Sequence, residues 1–95
     1  MNEQQAITKG QIVISKKGRD KGGWFVVLDV ATDANHSFAW LADGRLRPVE
    51  RPKKKKLMHI QPTKYIDETL QDKLENDKQL NNSECREAIC RFRES

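Results

Sequence analysis

Aromatic residues are scarce in this 95-residue chain: two tryptophans, one tyrosine and three phenylalanines. Charged residues, by contrast, make up 34% of it. The core must therefore be small, and much of the charge must lie in water. A chain this short buries only about 60–65% of its unfolded surface. That argues against a large enclosed active site and predicts one domain with at most a small appendage. Long apolar runs are missing as well; none approaches the ~18 residues a membrane span needs. The first residues, MNEQQAITKG, lack the cationic start and apolar stretch of a secretory leader. Cysteine is limited to Cys85 and Cys90, which would point about 140° apart on a helix and could not bridge there. A soluble protein of the reducing cytoplasm is expected. His36 and His59 stand alone, with no Cys/His spacing of a metal site. The stretch GRDKGG lacks the gap and the Gly-Lys-Ser/Thr ending of a nucleotide-binding loop. No catalysis, metal or cofactor is expected.

Positive charge is abundant, and it is unevenly placed. Residues 1–64 carry 13 Lys and Arg against 6 Asp and Glu, a net +7, whereas residues 65–95 carry 5 against 8, a net −3. A basic module followed by an acidic tail implies a polyanionic partner for the first part alone.

Local pattern divides the chain in the same way. Residues 1–8 read as a loose polar arm. GQIVIS (Gly10–Ser15) and WFVVLDVA (Trp24–Ala31) read as strands, separated by the loop KKGRDKGG (Lys16–Gly23), whose glycines permit tight turns. SFAWLA (Ser37–Ala42) alternates, with Phe38 and Trp40 on one face. Asp43-Gly44 signals a two-residue hairpin, with RLRPVE (Arg45–Glu50) as the returning strand, and KLMHI (Lys56–Ile60) reads as a last short strand. Five short strands with so little helix must curl to bury a core. The expected fold is mainly β: a small SH3-like barrel over residues 9–61. A tail of two short helices over residues 62–95 should follow. Tyr65, Ile66, Thr69, Leu70 and Leu74 fall near helical spacing, and Ser83 can cap the second helix ahead of Ala88, Ile89 and Phe92.

The candidate site follows from the basic clusters. Lys16, Lys17, Arg19 and Lys21, interleaved with Gly18 and Gly22, can gather cations and backbone amides on one side, which suits phosphate oxygens. Arg51, Lys53, Lys54, Lys55 and Lys56 form a second run, with Arg45 and Arg47 just upstream. If the lysine run is extended, at most two of its side chains face any one surface. Either run alone is weak evidence; two runs flanking a compact sheet make a polyanion-sized footprint. Trp24, Phe25, Phe38 and Trp40 are candidates for stacking on bases, although a core this small claims most of them. Trp24, where the basic loop ends, is the foremost. Asp20 is expected to brace Arg19 or a loop amide.

The strand–KKGRDKGG–strand unit resembles the KOW motif, with Gly10, Val13, Gly18, Lys21 and Gly22 matching its usual pattern. Together with the segments LADGRLRPVE and RPKKKKLMHI, it resembles the archaeal and eukaryotic large-subunit ribosomal protein fourteen family and its short bacterial relatives. The likeness covers residues 9–61 or so. It implies an SH3-like barrel that binds ribosomal RNA through Lys16, Arg19, Lys21 and Lys53–Lys56. The expected function is non-catalytic RNA binding in association with the large ribosomal subunit. The alternative is a protein-interaction module that docks on a protein partner through the acidic tail, residues 65–95.

Overall fold

The computed structural model of the chain describes residues 7–95; residues 1–6 of the expected arm lie outside the described residues. Five strands come first: β1 (Gln11–Ser15), β2 (Trp24–Thr32), β3 (Ser37–Ala42), β4 (Lys53–Lys56) and β5 (Ile60–Ile66). Two helices follow, α1 (Glu68–Glu75) and α2 (Asn82–Arg93). Neither is long and apolar enough to cross a membrane. The fold class agrees with the sequence reading: a small, mainly β, SH3-like fold of five strands with two C-terminal helices.

The strands form one antiparallel sheet in the order β4-β3-β2-β1-β5. Its two edges, β4 and β5, are consecutive in the chain, joined by a single 3-10 turn, Leu57–His59. Such a turn advances only about 6 Å, whereas the edges of a flat five-stranded sheet lie about 19 Å apart. The sheet must therefore curl until its edges approach. A register shift between Val27 and Asp29 places a bulge in β2, and bulges sharpen bend and twist.

Strand alternation sends apolar side chains into two separate cores. Val13, Phe25, Val27, Ala39, Leu41 and Ile60 fill the inside of the curled sheet. Ile12, Val26 and Ala42 point the other way, where Leu70, Leu80, Cys85, Ala88 and Ile89 cover them from the helical side. Each fully buried Ile, Leu or Val contributes about 1.5–3 kcal/mol. The helices are thus a wall of the second core. Their ends are fixed by side chains. Asp67 caps α1 by accepting from the Leu70 amide, and its other oxygen accepts from Arg91 Nη1 at 2.8 Å. Lys73 pairs with Glu84, and Tyr65 stacks on Phe92 at 5.0 Å between ring centres.

Several expectations are corrected. Arg45–Glu50 is not a strand; β3 pairs instead with the lysine run, Ala39 facing Lys55 and Leu41 facing Lys53. The Asp43-Gly44 signal has another cause. Asp43 Oδ1 accepts from the amides of Arg45 and Arg47, at 2.8 and 2.9 Å. Gly44, at φ +79, lies so close under α2 that a Cβ would sit 2.3 Å from the Asn82 carbonyl oxygen. Nor is Lys56–Ile60 a strand: Leu57–His59 form a 3-10 turn between two strands, and Tyr65 and Ile66, expected at helical spacing, end the second of them. β4 ends at Lys56 and β5 runs from Ile60 through Pro62 to Ile66, across the expected boundary at residue 61. An edge strand tolerates a proline there because one side of it needs no ladder partner. Finally, α2 is capped by Asn81 rather than Ser83: Asn81 and Glu84 form a reciprocal capping box.

Candidate nucleic-acid interface

The loop between β1 and β2 is closed by its own backbone. Gly22 N donates to Ser15 O at 2.8 Å, Lys21 N to Gly18 O at 3.2 Å and Gly23 N to Asp20 O at 2.9 Å. Gly18 and Gly22 take φ values of +90 and +87, a region that side chains with a Cβ rarely adopt. The result is a compact knuckle on which Lys16, Lys17, Arg19 and Lys21 are all exposed.

This knuckle is fastened to the lysine run. Lys55 lies on the inward side of β4 and is buried, with its ammonium 3.0 Å from Asp20 Oδ1 and 2.8 Å from the Lys17 carbonyl oxygen. Ser15 Oγ lies 3.0 Å from the same two acceptors, and its one proton can serve either. Burial by itself would raise the Asp20 carboxyl. The Lys55 ammonium, the Ser15 hydroxyl and Asp20's own amide outweigh it and hold the group below its usual value. Asp20 thus braces the loop against β4 through Lys55; bracing of Arg19 is not seen.

A second strap lies beside the first. Lys16 N donates to the His59 carbonyl at 2.9 Å, which ties the knuckle to the turn between β4 and β5. The His59 imidazole is held below its usual value by partial desolvation and then by the charges of Lys17, Lys55, Lys56 and Lys16. One side chain therefore senses lysines from both basic clusters.

Other expected site residues lie elsewhere. Lys55 is the buried anchor and presents no free charge for a phosphate. Trp24 is half-buried against the helix-side core, with the Arg93 guanidinium 5.4 Å above its ring, so the foremost stacking candidate is drawn toward the helices. Arg45 and Arg47 belong to a loop secured to α2: Val49 N donates to Asn82 Oδ1 at 2.8 Å and Arg86 Nη1 to Gly44 O at 2.7 Å. Arg51 is exposed at the approach to β4. Along β4 the expected alternation holds: Lys53 and Lys55 face the side of Leu41 and Ala39, while Lys54 and Lys56 face the side of Trp40 and Phe38.

Sequence reasoning missed Ser15 and His59 as parts of this assembly. Ser15 carried a faint signal, a hydroxyl at the inward position of a strand ending in a glycine loop. His59 carried none, because its neighbours come from distant segments. Compared with known proteins, the chain matches no family model and no curated protein. The KOW likeness therefore stands on the residues quoted for it.

Proposed function

We propose that this protein is a non-catalytic RNA-binding module of the cytoplasm. It grips RNA phosphates with Lys16, Lys17, Arg19 and Lys21 on the loop, and with Lys54 and Lys56 on the adjoining strand. The observation that carries this reading is the pair of buried Lys55 and part-buried Asp20 at 3.0 Å, which fastens the loop to the lysine strand. Clustered, exposed cations of this kind supply the sequence-independent part of nucleic-acid affinity. Ribosomal RNA, and with it the large ribosomal subunit, is the expected target on the strength of the KOW likeness. Docking through the helical tail gains no support, since the tail's apolar side is spent on the sheet.

The test is charge reversal. Lys16, Lys17, Arg19 and Lys21 changed together to Glu leave Asp20 and Lys55 in place, so the fold should survive, as circular dichroism can verify. Filter binding to RNA should then be abolished, and co-sedimentation with large ribosomal subunits lost. Unchanged affinity in the folded variant rejects the loop as the contact surface.

A further inference from the structure

The outward face of β3 carries aromatic rings that neither core uses. Phe38 and Trp40 are half-buried, and they are absent from the side chains packed against the two buried clusters. Each has a lysine directly across the ladder, Lys56 opposite Phe38 and Lys54 opposite Trp40. The Lys54 ammonium sits 4.3 Å from the Phe38 ring centre and 5.6 Å from that of Trp40. His36 extends the row, its ring tilted against Phe38 at 6.1 Å. A groove of about 650 Å³ shares His36 and Lys56 with this row, its other walls including Leu57 and Ile60 of the inner core.

Resting on the RNA-binding reading above, we propose that this face is a platform for unpaired RNA bases, with Phe38 and Trp40 as the stacking surfaces. Spacing argues for a single strand. Residues two apart on a strand lie about 7 Å from each other, twice the ~3.4 Å rise between stacked bases in a duplex. Neighbouring bases can occupy both rings only if they are splayed apart. Aromatic faces accept any base, which gives stacking without sequence preference. Charge argues for a nucleic acid over an apolar partner: a lysine opposes each ring. Lys56 also leads into the turn whose His59 carbonyl accepts from Lys16 N at 2.9 Å, so a strand stacked on β3 leads its phosphates toward the basic knuckle. Lys54 is exposed and can leave the ring face for a phosphate when a base arrives. Two carboxylates border the platform and are already engaged. Asp29 lies 3.9 Å from Lys9, and Asp33 accepts from the amides of Asn35 and His36.

The test compares three probes of equal length at one salt concentration: a single-stranded RNA, its abasic ribose-phosphate counterpart and an RNA duplex. The wild-type protein should bind the base-bearing single strand best, with the abasic strand at least tenfold weaker. Phe38→Ala with Trp40→Ala should weaken single-strand binding by about tenfold per ring and erase the preference over the abasic probe. The salt dependence, which counts phosphates, should stay as it was. Equal wild-type binding to base-bearing and abasic strands overturns the platform, as does a preference for the duplex or full affinity in the folded double variant. In each of those outcomes the phosphate-binding reading stands. If the double variant does not fold, the wild-type comparison decides alone. If the wild-type protein binds none of the probes, both readings fall.

Discussion

The helix-covered part of the sheet and the loop knuckle use charge in opposite ways. On the helix side, Ile12, Val26 and Ala42 are sealed by Leu80, Cys85, Ala88 and Ile89, and charges serve as fasteners: Asp67 with Arg91, Lys73 with Glu84. Burial there lifts the Cys85 thiol to about 12, which leaves it a small apolar filler. At the knuckle, by contrast, one ion pair, with its lysine buried, holds a group of exposed cations in place. The contrast teaches that charge in this protein does two jobs that sequence alone does not separate. Lys55 is part of the framework, while its neighbours Lys54, exposed, and Lys56, half-buried, face the other side of the strand.

The largest effect should come from breaking the helix side. Ala88→Asp puts a carboxylate where no surface is exposed and no partner waits; cooperative thermal unfolding should be lost or severely lowered. Truncation after Asp67 should do the same, because it uncovers the second core. A truncated barrel that unfolds cooperatively would show that the helices are a dispensable appendage after all.

Next in size is the fastener at the knuckle. Lys55→Ala leaves the part-buried Asp20 without its cation and should cost about 2 kcal/mol in chemical denaturation. Lys54→Ala, one residue away, should stay within about 0.5 kcal/mol. Equal costs would erase the distinction between framework and ligand lysines. Removing the cap with Asn81→Ala should cost about 1 kcal/mol.

The pH response sharpens the same point. Asp20 is held below its usual value in the folded protein, so folding favours its ionised form. Its contribution is full above about pH 4, near the unfolded value, and is lost as pH falls through the folded one. The stability difference between the wild-type protein and Asp20→Asn should therefore shrink on acidification from pH 6 to pH 3. His59 gives the smallest signal. Its imidazole titrates below the usual value in the free protein and should shift upward when phosphates offset the neighbouring lysines, as NMR titration can follow.

Much of this was legible in advance, and the reasons are local. The β-branched run before Lys16 and the apolar run after Gly23 announced β1 and β2, and the glycines announced the loop. Asn81 and Glu84 spelled a capping box that could have been read. The lysine strand was illegible as a strand because four identical residues show no alternation; only their partners Ala39 and Leu41 decide which lysine turns inward. Asp43-Gly44 misled because its glycine answers to a helix far along the chain. The two basic clusters were readable as clusters, but their fastening through Asp20 and Ser15 depends on contacts between segments.

The central claim is that loop and strand cations act on RNA as one surface. The salt dependence of binding to single-stranded RNA tests it most directly, measured for the wild-type protein, for a variant neutralised at Lys16, Lys17, Arg19 and Lys21, and for one neutralised at Lys54 and Lys56. With roughly four to six phosphates engaged, the wild-type log–log slope should be about −3 to −4, and each set of substitutions should flatten it. A slope near zero, or a slope that one of the two sets leaves untouched, would contradict a shared surface.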